Sequence, residues 1–406
     1  FSKILILIAG GLVLMLSSGF LREEGGRPFE FIILMLFALL GMMLMVSAAD
    51  LLALYMALEM SSLALYVLAS FNRDNTKSSE AGLKYFVLGA LASGMMLYGM
   101  SLVYGFAGST SFSVLSDLFA AHDVSKGVIL GLVMVMIGFC FKLSAVPFHM
   151  WTPDVYQGSP TPVTAFFATA PKVAALALFT RLLLGPFAHT ISQWQQVIIF
   201  VSLASMLVGS FGAIAQTNIK RLLAYSSIGH VGFMLMALAA GNQSGVQAIL
   251  IYLSLYIFMS VVMFGALLLM RRDGGALENI KDLSGLSKSN PLLAGVISIS
   301  IFSMAGIPPM AGFFGKMYVV LAAIEGGLTW LAVAGVCSSV IGCYYYLKII
   351  KTMYFDEATI EFDSASTLLG NIAMAVGTVV TMLFFLVPSP LVTAAREAAS
   401  VLLIIK

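Results

Sequence analysis

Charge is scarce in this sequence. Only 10% of its 406 residues are Asp, Glu, Lys or Arg, against about 25% in soluble globular domains. With 60% hydrophobic residues and a mean hydropathy of +1.01, the chain cannot solvate its whole surface. This excludes a soluble enzyme and implies an all-α polytopic membrane protein. Cysteine is sparse too. Cys140, Cys337 and Cys343 show no Cys-x-x-Cys or Cys/His spacing, so they supply neither an iron–sulfur nor a metal site and read as buried small apolar side chains. There is no GxGxxG string and no P-loop, so no cofactor-binding site is expected on this chain. A formal net charge of +2 gives no reason to expect a nucleic-acid partner. The sequence opens at Phe1 inside an apolar run with no small-residue cleavage site after it. That is unlike a signal peptide, and a piece of a longer chain is expected.

What the sequence has is long apolar runs. About 20 such residues span a bilayer, and twelve candidates occur at 4–20, 31–47, 51–71, 80–106, 127–152, 161–184, 195–216, 219–240, 245–270, 292–323, 327–354 and 367–388. A last stretch, 390–405, follows Pro388 and Pro390 and reads as interfacial. With alternate loops on opposite sides, one side collects Arg22, Arg27, Arg73, Lys77, Lys220, Arg221, Arg271, Arg272, Lys281, Lys288, Lys348 and Lys351. The other has only Lys3, Lys126, Arg181, Arg396 and Lys406. The positive-inside rule places the richer side in the cytoplasm.

Five charges fall inside the runs: Glu59, Lys84, Lys142, Lys172 and Lys316. Each such group costs a few kcal/mol or more at membrane depth, so ionisable residues there mark ion or proton pathways. Glu59 lies nine residues after Asp50, about 13 Å into its helix. Lys142 and Lys172 are similarly deep. Lys84 follows Glu80 by four residues and is within reach of the cytoplasmic surface by snorkelling. A lysine held between burial and a carboxylate can load and release a proton when the counter-charge moves. His149 and His230 lie in polar clusters and are possible relay groups, although lone histidines are more often packing residues. Asp154 reads as a loop or cap residue.

The fifth and tenth runs are interrupted. Pro147 follows Lys142 by five residues, and Gly306, Pro308 and Pro309 precede Lys316. Proline removes a backbone donor and clashes with the preceding turn, so both helices should break there. Interrupted helices at matching places in two halves point to a transport site. The lysine precedes the break in one half and follows it in the other, as an inverted repeat would give. The expected organisation is an N-terminal helix and loop over 1–30, two five-helix repeats over 31–184 and 185–354, and a C-terminal helix with an interfacial segment over 355–406.

Three stretches then resemble a known family: TPDVYQGSPTPVTAFFATAPKVAALALF, QTNIKRLLAYSSIGHVGFMLMALA and SMAGIPPMAGFFGKMYV. They are similar to the subunit N family of bacterial NADH:quinone oxidoreductase, respiratory complex I, whose antiporter-like subunits are related to Mrp sodium/proton antiporters. The PDVYQG-x-P-x-PV string, and a lysine in the second broken helix, favour subunit N over its relatives. The resemblance implies fourteen membrane helices in the family, with this chain starting at the third. It also implies a proton relay of Glu59, Lys84, Lys142, Lys172 and Lys316, coupled to quinone reduction by NADH. It further implies FMN, iron–sulfur clusters and quinone in other subunits, partner subunits in the membrane arm, and a bacterial inner-membrane location. The alternatives are an Mrp-type antiporter subunit and a pump-inactive scaffold of the membrane arm.

Overall fold

The computed structural model describes the whole chain except residues 24–27, 122–123, 273–274, 358–361, 364–366 and 405–406. Arg27 and Lys406, used above for orientation, lie outside the described residues. The described residues are mainly helical. The chain opens with α1 (Ser2–Leu16), α2 (Ser18–Glu23), α3 (Pro28–Ser47), α4 (Leu51–Ala69), α5 (Thr76–Ala107) and α6 (Phe112–Ala121). It continues with α7 (Lys126–Leu143), α8 (Trp151–Gly158), α9 (Thr161–Ala168), α10 (Ala170–Leu184), α11 (Ile191–Ile214), α12 (Ile219–Ala239) and α13 (Gln243–Leu269). A two-stranded hairpin, β1 (Arg271–Arg272) and β2 (Gly275–Ala276), leads to α14 (Leu286–Ser289) and α15 (Pro291–Ala305). The chain closes with α16 (Ala311–Glu325), α17 (Thr329–Phe355), α18 (Leu368–Leu383) and α19 (Ser389–Ile404).

Short polar residues start these helices. The Asp50 carboxylate accepts from Leu52 N at 2.7 Å, and the side chains of Asn75, Ser125, Asn218, Asn242, Asn290 and Thr367 cap α5, α7, α12, α13, α15 and α18 in the same way. Each supplies an acceptor to a first-turn N–H that would otherwise be unpaired.

All twelve apolar runs form helices. Among the described residues, nine helical segments are long and apolar enough to cross a membrane. The first and last runs give helices of 15 and 16 residues, and the tenth is divided into α15 and α16. The fifth run ends at Leu143, and eight-residue α8 follows separately. The sixth run, expected to be continuous, is interrupted at Thr169 between α9 and α10. The stretch after Pro388 is a helix packed on α13, with Ala395 and Ala399 buried.

Burial separates core from rim. The windows over α9–α10, α12 and α13 are 89%, 89% and 94% buried, whereas those over α3, α5 and α17 are 33–39% buried. Helix α13 is apolar all round, which suits a helix with no exposed face. The rim helices turn Leu36, Phe37, Leu91, Val333 and Val340 outward, as lipid contact allows. Cys337 is also exposed on α17 and Cys343 is half-buried, so only Cys140 is the buried small side chain expected of all three. A thiol is apolar enough to face lipid. Lipid is as apolar as a leucine side chain, so helices here associate by close packing. A Cβ on Gly209 would lie 2.5 Å from Gly229 N, and one on Gly99 2.5 Å from Gly131 O. These glycine pairs set the close α11–α12 and α5–α7 contacts.

Candidate functional site

The site begins at the helix interruptions. Helix α7 ends at Ser144, a non-glycine residue with φ 64°, and α15 ends at Gly306 with φ 86°. The left-handed residue stops each helix and leaves its last carbonyls unpaired within the helix. Lys142 lies in the last turn of α7. Lys316 lies on α16 and reaches back across the break. Its Nζ donates to the Ala305 carbonyl at 2.8 Å and to Ser339 Oγ of α17 at 2.8 Å, with the Phe233 ring 5.3 Å away. The Lys316 ammonium therefore sits at the negative, C-terminal end of a half-helix.

Lys142 is held in an aromatic box. Its Nζ donates to the Tyr66 hydroxyl at 3.4 Å and lies 5.2, 5.6 and 5.9 Å from the ring centroids of Tyr66, Tyr85 and Phe141. Tyr85 in turn stacks on Trp151 at 4.4 Å. Ring faces attract a cation by about 0.5–2 kcal/mol each, depending on desolvation. A cavity of about 20 Å³ beside Lys142 reaches Pro171, next to Lys172, and has room for one water.

Glu59 stands mid-way along α4. The Ser93 hydroxyl of α5 donates to it and lies 3.3 Å from the Tyr55 hydroxyl. No ion pair joins Glu59 to Lys142 among the described residues. Tyr66, two helical turns beyond Glu59 on the same face of α4, is the group that meets the lysine. That i, i+7 spacing was legible in the sequence and was missed.

Lys172 is 2% exposed and donates to Ser227 Oγ of α12. Its burial follows from the Thr169 interruption, which places it at the start of α10 in the molecular interior. One turn beyond Ser227, His230 is clamped between two phenols: Nδ1 is 2.7 Å from Tyr252 and Nε2 is 3.2 Å from Tyr346. Tyr346 also lies 2.5 Å from Ser226 Oγ. His149 sits in the break between α7 and α8. The breaks around Pro147 and Pro308-Pro309 span Leu143 to Trp151 and Ala305 to Ala311.

Lys84 stands apart from this interior. It is two turns into α5, its side chain is 40% exposed, and it pairs with Glu80 at 2.6 Å and Asp154 at 2.7 Å. Asp154 also pairs with Arg221 at 2.5 Å, so it bridges α5, α8 and α12 and does more than cap a helix. Lys220, read from sequence as a loop charge, is buried: it donates to the Ser159 carbonyl at 2.8 Å and to Glu278 at 2.9 Å. Arg181, likewise assigned to a loop, donates to the Val46 and Ala48 carbonyls at the end of α3. Among the described residues, no group of three His, Cys, Asp or Glu could hold a metal ion.

The chemistry available is proton exchange among three lysines whose close partners are hydroxyls and carbonyls. A family profile described as NADH:quinone oxidoreductase/Mrp antiporter, TM, matches residues 48–342. NADH-quinone oxidoreductase subunit N of Paramagnetospirillum magneticum is 56% identical over 99% of this chain and 84% of its own length. That of Rhodospirillum rubrum is 57% identical over 99% of this chain and 83% of its own. A chain of respiratory complex I from Thermus thermophilus superposes with a TM-score of 0.80 at 34% identity, over 96% of this chain and 86% of that one. A chain of the Mrp complex from Dietzia sp. DQ12-45-1b has a TM-score of 0.87 over 99% of this chain and 83% of that one. Its 23% identity makes it a likeness of fold. This chain belongs to the NADH:quinone oxidoreductase/Mrp antiporter membrane-subunit family, among its subunit N members.

Proposed function

We propose that this chain is a proton-translocating, multi-pass inner-membrane subunit of an NADH:quinone oxidoreductase. The reading is carried by one observation: Lys142, Lys172 and Lys316 lie at helix interruptions inside the bundle, and hydroxyls and aromatic rings surround them. Protons pass from Lys142 to Lys172, then along Ser227 and His230 towards Lys316. Glu59 biases the loading of Lys142 through its field, without contact. Lys84, with Asp154, acts at the cytoplasmic mouth. Two five-helix units, 31–184 and 185–354, face opposite ways because each holds an odd number of spans. Redox cofactors and quinone belong to other subunits, and long-range coupling to them drives the lysines.

The test uses the assembled complex in inverted membrane vesicles. Lys142→Ala, Lys172→Ala and Lys316→Ala are expected to lower protons moved per NADH oxidised while assembly, read by blot, survives. Lys→Arg does not restore full pumping, since arginine holds its proton. Wild-type stoichiometry in all three alanine variants would make the chain a scaffold. Co-purification without flavin or iron–sulfur subunits would favour an antiporter outside this enzyme.

A further inference from the structure

Proline does more at the second break than end a helix. In an α-helix the carbonyl of residue i accepts from the N–H of residue i+4, and in a tighter turn from that of residue i+3. For Ala305 those positions are Pro309 and Pro308, and neither has an N–H. The next donor along the chain, Met310 N, goes to the Ile307 carbonyl at 3.1 Å. Ala305 is also buried. The backbone therefore leaves its carbonyl to side-chain donors.

Three such donors converge on it. Lys316 Nζ lies 2.8 Å from the oxygen, Ser339 Oγ 3.4 Å and Cys343 Sγ 3.8 Å. Ser339 and Cys343 are one turn apart on α17 and share a face. The Ser339 hydroxyl has a second part to play, because its oxygen accepts from Lys316 Nζ at 2.8 Å. A carbonyl oxygen has two lone pairs, one fewer than the donors gathered here. The first break is built differently. There the Phe141 carbonyl, near the end of α7, accepts from the Trp151 indole at 3.0 Å, and Lys142 turns to Tyr66.

We propose that Ser339 and Cys343 are positioning residues for Lys316, which keep the lysine and the Ala305 carbonyl hydrogen-bonded in both protonation states of the lysine. This rests on reading the chain as a proton-translocating subunit. As an ammonium, Lys316 donates to Ala305 and to Ser339. When it passes a proton along the lysine path, its nitrogen gains a lone pair. The Ser339 hydroxyl then turns its hydrogen from Ala305 to that nitrogen, and the Cys343 thiol, a weak donor, keeps the carbonyl paired. When Lys316 takes up a proton again, the hydroxyl turns back. Neither Ser339 nor Cys343 gains or loses a proton in the cycle. A buried acceptor left without a donor is unfavourable, so this face of α17 makes the exchange at Lys316 easier in both directions.

Ser339→Ala removes the hydroxyl, and Ser339→Thr keeps it on a larger side chain. In the assembled complex in inverted vesicles, Ser339→Ala is expected to lower protons moved per NADH severalfold, with assembly unchanged by blot, and Ser339→Thr to recover most of that loss. A role in packing alone would give the opposite order, since alanine fits where serine does and threonine is bulkier. Cys343→Ala is expected to lower pumping less, Cys343→Ser to pump more than Cys343→Ala because it keeps a donor, and Ser339→Ala with Cys343→Ala to pump less than either alone. If Ser339→Thr or the double variant fails to assemble, Ser339→Ala and the two Cys343 variants carry the test. Equal loss in Ser339→Ala and an assembled Ser339→Thr would overturn the proposal. So would normal pumping in Ser339→Ala and Cys343→Ala with Lys316→Ala impaired, which leaves the proposed function standing. Normal pumping in Lys316→Ala would leave Ser339 nothing to position and overturn it as well, and normal pumping in the Lys142, Lys172 and Lys316 alanine variants together would remove the proposed function too.

Discussion

Lys316 Nζ lies 2.8 Å from the Ala305 carbonyl oxygen, on the opposite half of its broken helix. The break therefore supplies a partner for the lysine, because the carbonyls at the end of α15 have lost the N–H groups of a continuing helix. Lys142, in the last turn of α7, instead meets the Tyr66 hydroxyl and three aromatic rings. A cation at a helix C-terminus gains about 0.3–1 kcal/mol, rising to about 2 kcal/mol when partly buried. None of Lys142, Lys172 and Lys316 forms an ion pair among the described residues. Neutral partners can hold a lysine in place without locking its proton, as a buried carboxylate would.

Gly306 is the first test of this arrangement. Its φ of 86° suits glycine, and a Cβ there would lie 2.9 Å from Lys316 Cδ. Gly306→Ala is expected to cost about 1–2 kcal/mol in backbone strain and to shift the Lys316 side chain. Pumping per NADH should fall while quinone reduction in uncoupled vesicles persists. Gly11→Ala, where a Cβ meets nothing within 4 Å, is the control and should behave as wild type. Equal pumping in the two variants would mean that the Lys316 contact does not matter.

The Lys142 box separates two effects. Tyr66 offers a ring face and a hydroxyl, and the hydroxyl packs against Gly89, where a Cβ would come within 2.1 Å of it. Tyr66→Phe keeps the face and loses the acceptor, so a modest loss of pumping is expected. Tyr66→Leu loses both, and should cost more by the cation–π increment of about 0.5–2 kcal/mol. The ratio of pumping rates of the two variants at equal assembly is the measurement. Identical rates would deny the ring any part in holding the ammonium.

Ser227→Ala leaves the Lys172 ammonium buried without its hydroxyl partner. Losing a hydrogen bond to a charged group costs about 1.5–3 kcal/mol. Pumping is expected to drop, with the thermal midpoint of the purified complex lowered. Ser227→Thr keeps the hydroxyl and should restore both. Failure of threonine to restore pumping in a stable complex would show that the hydroxyl is not the group that matters.

Asp50 gives a pH prediction outside the membrane spans. Burial alone would raise its carboxyl pKa. Hydrogen bonds from Thr110 Oγ1 at 2.5 Å and from the Leu52 and Ala53 amides outweigh that and lower it below the usual aspartate value. A carboxyl with a lowered folded pKa adds stability above its unfolded pKa, about 3.9, and loses it as pH falls through the folded value. Asn still caps a helix but carries no charge. Wild type is therefore expected to melt above Asp50→Asn at neutral pH, with a constant difference down to about pH 5 that begins to shrink near the unfolded pKa of about 3.9 and disappears only below the lowered folded value. A difference that grows on acidification would reverse the assignment.

Much of the site was readable from residue type and position. Glu59, Lys142, Lys172 and Lys316 stand out because charge is scarce and the surrounding runs are apolar. The Pro147 and Pro308-Pro309 interruptions follow from proline's missing donor. The Thr169 interruption was hidden, because Pro171 at the start of a helix is tolerated and gives no stop of its own. Lys220 and Arg181 were misplaced, and the partners of Lys84 were hidden, because a one-dimensional run cannot tell a side chain at a helix mouth from one at depth. Their positions depend on Asp154, Glu278 and the end of α3, which are 70, 58 and 133–135 residues away in sequence.

The sequence alone determined the membrane class, the number of apolar runs and the chain positions of the charges. Hydropathy, helix length and proline chemistry are local properties, and they carry that much. Only the tertiary structure decided which hydroxyl or ring each lysine meets. Tyr66, Ser227, Ser339 and the phenols around His230 come from helices far apart in the chain, and their contacts exist only once the helices have packed.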